Sequence, residues 1–342
     1  MKDNIKQIVK LGFFISLSAI LLFIAFRNIN FSLVLEELKN ARYSWLIIAL
    51  AASVLAFISR ARRWILLVKP LGYEPSLRSA YHALMTGYLF NFAAPRLGEL
   101  TRCAALGKKE KIPVDKLFGT VIAERAFDLV SMLVIMLIMI AGRSRLMNSF
   151  FKDNVFGPLG GKIASTLTLP VPAVIIILLF ILAAVIMLTV YRRRLKQIKL
   201  LARIGDILKG IYSGLKSFTA MKDRLEFIIH TIIIWSMYII MTWAVFYALP
   251  ATSHLQLADA VFILVAGSLG MAAPVQGGIG AFHWIVSRAL NIVYGINMEG
   301  GLAYATLSHE SQLILIAVLG TVSFFLIMGR KQKKYRQLEQ RE

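Results

Sequence analysis

The sequence contains almost no cysteine, since Cys103 is the single one in 342 residues. A disulfide within one chain needs two cysteines, so an intramolecular disulfide framework is excluded, and a metal cluster held by cysteines is disfavoured. Charged residues are also scarce, at 17%, whereas 58% of the residues are hydrophobic. Soluble domains carry about 25% charged residues. The composition therefore indicates an integral membrane protein.

Acidic residues are few as well: 18 stand against 39 lysines and arginines, a net charge of +21. A surface for nucleic acid needs cations clustered on one solvated fold, but here they separate apolar stretches, so nucleic acid is not an expected partner. By our count, 25 of these cations fall in 1–10, 69–78, 107–116, 192–224 and 330–342, and six fall in the segments assigned to the outside. The positive-inside rule therefore places both termini in the cytoplasm.

The apolar stretches predict six full transmembrane helices. A helix needs roughly 20 apolar residues to cross about 30 Å of hydrocarbon. The six spans are expected near 9–27, 44–66, 116–141, 169–191, 225–249 and 302–329. No cleavage site of small residues follows the first span, so we interpret it as a retained helix rather than a signal peptide. The stretch 28–43 is interpreted as an outside loop.

Two further apolar segments are too short to be pairs of spans. Residues 79–106 leave and re-enter the basic side within 28 residues, whereas two spans need about 40. They predict a re-entrant hairpin with a helix over 79–91, a turn at Pro95 and a short helix over 97–106, and Pro95 and Gly98 are expected to be structural. The segment 258–295, broken at Pro274, predicts a second hairpin entering from the opposite face. Eight apolar segments thus form an all-α integral membrane protein.

The two breaks resemble each other, with "AAPRLGE" from Ala93 and "AAPVQGG" from Ala272. Each half reads span, span, hairpin, span, with opposite starting sides, which predicts an inverted repeat of 1–142 and 169–329. Inverted repeats are typical of transporters whose sites lie at broken helices. The basic stretch 192–224 between the halves is either an amphipathic helix on the inner leaflet or a solvated linker.

Charged residues at membrane depth are the first candidate site. Charges there are costly and usually face a cavity and pair. Arg96, Glu99 and Arg102 lie three residues apart, which places them on one face of the short helix. Because one carboxylate cannot neutralise two guanidinium groups, the surplus positive charge favours an anion. The competing interpretation is that these charges only lock the hairpin.

Two further groups of residues are candidates for the same site. On the third span, Glu124 and Asp128 stand one helical turn apart, and Arg125 points about 100° away. They either position the arginines on a lipid phosphate or brace the fold. The second half of the sequence adds glycines that would allow close backbone approach and polar residues that could line the same site. The alternative role for all of them is packing. They are Gly277, Gly278, Gly280, His283, His309 and Glu310.

Motifs of common enzymes are missing. The sequence contains no Walker-type loop, no recognisable Ser/His/Asp context and no linear metal-binding spacing. No cofactor or metal is therefore expected, and an enzyme is disfavoured.

Three motifs together resemble a known family. "PRLGELTR" from Pro95, "ERAFD" from Glu124 and "PVQGGIGAF" from Pro274 resemble the flippase-like membrane domain of lysylphosphatidylglycerol synthases, also called UPF0104. The resemblance implies a lipid-handling protein of the bacterial inner membrane. Lysyl transfer is not implied, because the cytoplasmic transferase domain is not found in this sequence. His283 stands where relatives often have Glu, and "SHESQ" around His309 replaces a stretch where many have Arg, which leaves the head group open.

The sequence therefore predicts a protein that binds a phospholipid or another lipid-linked anion and moves it between leaflets. Two alternatives stay open: a membrane-embedded enzyme or accessory subunit for head-group or glycosyl transfer, and a structural scaffold. Membrane lipids, a second copy of the chain and a separate lipid-modifying enzyme are the candidate partners.

Overall fold

The structure is a computed structural model, and it describes residues 29–92, 97–142, 221–272 and 276–339 together with the isolated Ser16. Within these ranges the ordered backbone is helical and contains no strand, as the all-α prediction requires. Several predicted features lie outside the described residues: the spans near 9–27 and 169–191 and most of the basic stretch 192–224.

The described ranges contain α1 (Phe31–Lys39), α2 (Tyr43–Val68), α3 (Leu77–Phe90), α4 (Leu97–Glu110), α5 (Val114–Gly142), α6 (Arg224–Ala248), α7 (Leu257–Met271), α8 (Ala281–Tyr294) and α9 (Met298–Glu339). Three stretches among them are long and apolar enough to cross a membrane: Tyr43–Leu71, Arg224–Ala248 and Met298–Met328. They coincide with three of the six predicted spans. The full set of eight segments and the inverted repeat stay predictions.

The chain divides into two compact units, one of Met1–Val121 with Met221–Glu342 and one of Ile122–Ala220. The first unit contains α1 to α4, the start of α5, and α6 to α9. The described part of the second unit is the remainder of α5.

The stretch 28–43 is not only a loop, because it contains α1. The Asn30 side chain accepts a hydrogen bond from the Ser32 amide at 3.0 Å and so caps the first turn. Val34 is buried, and the helix packs against α9. The helix α1 was not predicted, because nine residues are too few for a span. Capping and one buried face are nevertheless enough for a short helix.

Helices flank both predicted breaks. In the first pair, α3 ends at Phe90 and α4 begins at Leu97, and the backbones touch at Gly87 and Gly98. The Asn91 side chain accepts a hydrogen bond from the Gly98 amide at 2.9 Å, which satisfies a free donor at the start of α4. In the second pair, α7 and α8 pack together across the break between Met271 and Ala281. That these pairs are re-entrant stays a prediction.

A buried apolar cluster holds the first pair against α2 and the start of α5. It contains Trp64 and Val68 of α2, Leu84 of α3, Leu106 of α4 and Leu117 of α5. The long helix α9 packs against both pairs, on α3 on one side and on α8 on the other. Small residues such as Gly301 and Gly320 allow this close approach, as in other membrane helices. The last helix therefore connects the two predicted half-sites.

Candidate functional site

Arg102 of the first pair is buried within the bundle. Its side chain is 2% exposed, and the guanidinium carbon lies over the Trp64 ring, 4.7 Å from the centroid. A desolvated cation–π contact contributes about 2 kcal/mol. The Trp64 indole N–H in turn donates a hydrogen bond to the Thr120 hydroxyl oxygen at 2.9 Å. Trp64 is thus fixed by both its ring face and its N–H.

The other predicted members of the first site have different surroundings. Glu99 is half-buried in the first turn of α4, while Pro95, Arg96 and, in the second break, Pro274 lie outside the described residues. In the second unit, Glu124 is fully buried, Arg125 is exposed and Asp128 is half-buried. A fully buried carboxylate is costly without compensation, so Glu124 is the member of this group whose surroundings matter most.

A cavity of about 300 Å³ opens between α3, α4 and α9. Its lining residues are Arg78, Ser79, His82, Lys109, Leu326 and Ile327. The lining thus combines two cationic side chains, from α3 and α4, with two aliphatic side chains of α9. The His82 ring is fixed against α9 by a hydrogen bond between Nδ1 and the Ser323 hydroxyl at 3.0 Å. The cavity was not predicted from the sequence, because its cations resemble the basic residues that are common at helix ends.

Next to the cavity, α9 has an exposed apolar stripe. Ile314, Val318, Val322 and Phe325 are each at least half exposed and lie within about 80° of one another around the helix. The stripe is roughly 16 Å long at 1.5 Å per residue, close to the depth of one leaflet of a hydrocarbon core of about 30 Å. A large exposed apolar surface of this kind marks a face for lipid or for another helix.

The second break is a glycine turn that depends on positive φ angles. Gly277 has φ of +59° and Gly280 has φ of +84°, a region that side chains disfavour. Gly278, with φ of +77°, is buried against Met271. The predicted glycines therefore determine the backbone path of this turn. The Gly277 carbonyl oxygen faces His309 of α9.

The structure brings together His283 of α8 and His309 and Glu310 of α9. Glu310 Oε1 lies 3.5 Å from His283 Nε2 and 3.4 Å from His309 Nδ1. The other nitrogen of His309, Nε2, lies 2.8 Å from the Gly277 carbonyl oxygen. Both histidines are buried, at 3% and 5% exposure, whereas the Glu310 side chain is 43% exposed. Of the predicted residues, these therefore form a compact polar cluster.

A polar interface between α2 and α6 was missed by the sequence reasoning. Arg60 is 5% exposed and donates a hydrogen bond to the Tyr238 hydroxyl at 3.0 Å, and Arg63 is fully buried over the Phe227 ring. The arginines lie near the end of the predicted span 44–66, where basic residues are ordinary. The available signal was that Arg60 lies eight residues, or about 12 Å of helix, before the end of α2 at Val68.

At the edge of this interface, Lys69 pairs with Asp223, which lies just before the stretch Arg224–Ala248. The Lys69 ammonium donates a hydrogen bond to Asp223 Oδ2 at 2.9 Å. This hydrogen bond and the charge of Lys69 lower the pKa of the Asp223 carboxyl. The pair joins the end of α2 to the start of α6.

Apolar spans, broken helix pairs and buried charges define a multi-pass helical membrane protein. Residues 7–320 match the family described as Lysylphosphatidylglycerol synthase TM region, and the chain belongs to this family, a membrane protein family of lipid metabolism. The predicted resemblance is thereby confirmed.

A curated relative is a UPF0104 membrane protein of Methanocaldococcus jannaschii, 29% identical over 124 residues. The match covers 33% of this chain and spans 37% of the relative's length. No solved structure matches the chain.

Proposed function

We propose that the protein binds a phospholipid by its phosphate-bearing head group and moves it between the leaflets of the bacterial inner membrane, with both termini in the cytoplasm. The observation that carries the proposal is the cavity lined by Arg78 and Lys109 together with the aliphatic Leu326. Two cations attract a phosphate, and the aliphatic wall suits the first carbons of an acyl chain. A volume of about 300 Å³ is at the small end of ligand pockets, which fits a head group rather than a whole lipid.

The apolar stripe on α9 supports the same assignment. It starts at Phe325, beside the cavity wall at Leu326, and continues to Ile314. An acyl chain lying along it would leave its phosphate at the cavity.

The path through the membrane is proposed to follow α4. Lys109 and Arg102 are seven residues apart, so they share a helix face at a separation of about 10 Å. The phosphate would pass from Lys109 towards Arg102, with Glu99 of the same helix positioning the arginine. Movement would run down a concentration gradient or be coupled to protons or to the membrane potential. A second copy of the chain or a separate lipid-modifying enzyme is a proposed partner.

Reconstituted liposomes test this function. Purified protein would be incorporated with a fluorescent phosphatidylglycerol, and dithionite would report how fast label in the inner leaflet becomes accessible. We expect movement well above that in protein-free vesicles. Removing a charge-assisted hydrogen bond costs about 1.5–3 kcal/mol. The two losses in R78A/K109A, about 3 kcal/mol or more together, should therefore weaken lipid binding about 100-fold or more and slow lipid movement.

The matched control is K39A/R288A, which removes two cations at exposed positions outside the cavity lining and its helix ends. It should keep the wild-type rate within about twofold, because distant exposed charges are screened. Equal rates for wild type and R78A/K109A would contradict the cavity. A folded Arg102→Ala variant that moved lipid at the wild-type rate would show that Arg102 only braces the fold, as the scaffold alternative requires. Native mass spectrometry of the wild type would identify the bound lipid.

A further inference from the structure

We propose that His283, His309 and Glu310 form a binding site for one divalent transition-metal ion, for which Zn²⁺ is the best match. The donor atoms are His283 Nε2, His309 Nδ1 and a Glu310 carboxylate oxygen, and all of them lie within 4.8 Å of one another. The site joins the second helix pair to α9. It does not depend on lipid movement.

The hydrogen bonding of His309 favours a bound cation. Its Nε2 lies 2.8 Å from the Gly277 carbonyl oxygen, and a carbonyl only accepts, so Nε2 carries the proton. In a neutral ring the lone pair then lies on Nδ1, which faces Glu310 Oε1 at 3.4 Å. Two acceptors would then face each other, and either a metal ion or a second ring proton would relieve their repulsion.

A metal ion fits this position better than a second proton on His309. A proton bridges two atoms, but here the same carboxylate oxygen is also 3.5 Å from His283 Nε2. A metal ion binds all three donors at once. Two imidazole nitrogens and one carboxylate oxygen are ligands of Zn²⁺, whereas Ca²⁺ and Mg²⁺ prefer oxygen alone.

The distances are compatible with tetrahedral binding. Zinc bonds of about 2.0–2.1 Å to nitrogen and oxygen give an edge between ligand atoms of about 3.3 Å. The separations of 3.4 Å and 3.5 Å from Glu310 Oε1 are close to this edge. Small side-chain shifts are therefore enough to place three ligands around one ion.

Groups around the three ligands hold them in place, as the outer-shell partners of known metal sites do. A metal-bound histidine usually donates its other N–H to a carbonyl or carboxylate, and the Gly277 carbonyl has this role for His309. The Phe282 ring stacks on His309, with centroids 4.9 Å apart at 22°. Phe282 fits because Gly267 and Gly270 of α7 leave room for it: a Cβ on Gly267 would lie 2.6 Å from its ring.

Three protein ligands leave a fourth position on the ion. The buried histidines and the 43% exposed Glu310 side chain place the accessible side at the carboxylate. The fourth position can take water or an oxygen of a ligand, as in open zinc sites.

The test is metal binding by the intact chain, purified in detergent with a histidine-free tag and stripped with a chelator. Co²⁺ is titrated and followed by visible absorption, Zn²⁺ is then added in competition, and bound metal is measured by elemental analysis. We expect one ion per chain, with the intense absorption of four-coordinate Co²⁺. Loss of an outer-shell partner alone weakens such sites about 10–100-fold, so H309A and E310Q should bind at least about 100-fold more weakly.

The matched control is His254→Ala, which removes an exposed histidine away from the cluster. It should bind as wild type does. Wild-type protein without stoichiometric binding would overturn the proposal and make His309 and Glu310 an ion pair. Unchanged binding in folded H309A and E310Q would overturn it as well. If a variant fails to fold, the wild-type Co²⁺ spectrum decides: an octahedral spectrum contradicts the site. A chain that binds the metal but moves no lipid contradicts only the proposed function.

Discussion

The contact between Gly87 and Gly98 makes the first helix pair sensitive to a single methyl group. A Cβ on Gly87 would lie 2.7 Å from the Gly98 carbonyl oxygen and 2.8 Å from the Arg102 Cβ. Neither atom is the end of a flexible side chain, so the helices would have to separate by roughly 0.7 Å to restore ordinary contact. Overpacking of this kind costs about 1–3 kcal/mol. Gly87→Ala should therefore loosen the hairpin.

The opposing effect is helix propensity, which favours Ala over Gly by about 1 kcal/mol. Gly119→Ala cancels it as a matched control, since Gly119 is also within a helix and a Cβ there meets nothing within 4 Å. The difference between the two variants then measures overpacking alone, and we expect Gly87→Ala to be less stable by about 1–3 kcal/mol. Unfolding by SDS in mixed micelles, followed by circular dichroism, gives both free energies. Equal stabilities within about 0.5 kcal/mol would refute the backbone contact.

Two other changes test contacts that hold α2. Thr120→Val leaves the buried Trp64 indole N–H without its acceptor, which should cost about 1–3 kcal/mol, whereas Thr120→Ser keeps the hydroxyl and should cost less; similar losses for both in SDS unfolding would contradict the hydrogen bond. Asp223→Asn removes the carboxylate that pairs with Lys69. Because the pKa of Asp223 is lowered in the folded protein, the pair stabilises above the unfolded pKa of about 4, and this is lost as the pH falls through the folded pKa. The stability difference between wild type and Asp223→Asn should therefore be small near neutral pH and vanish in acid, and a difference independent of pH would contradict the pair.

Much of the helical framework follows from local properties of the sequence. The predicted spans at 44–66, 225–249 and 302–329 agree with α2, α6 and α9 to within a few residues, except that α9 continues to Glu339. Apolar length determines these helices, and it is read directly from composition. The break near Pro95 was likewise predictable, because proline lacks the backbone N–H that a helix interior needs and clashes with the preceding turn.

The candidate sites were less predictable than the helices. Arg102 was predicted to bind an anion, but its contact with Trp64 is invisible in the sequence because the residues are 38 positions apart on different helices. Arg60 was not among the predicted site residues, and the structure buries it against Tyr238. A charge inside a span indicates that a partner is needed, but it does not identify the partner residue.

The sequence by itself determined the class, the family, the helices around each break and the surplus of positive charge, since hydropathy, turn residues and motifs are local. The tertiary structure decided which distant groups meet: Arg78 with Lys109 in the lining of one cavity, and His283 with His309 and Glu310 beside the Gly277 carbonyl. No linear spacing encodes that meeting. It depends on the rotation of each helix about its axis and on the close approach that glycines allow, and both are set by packing of the whole bundle.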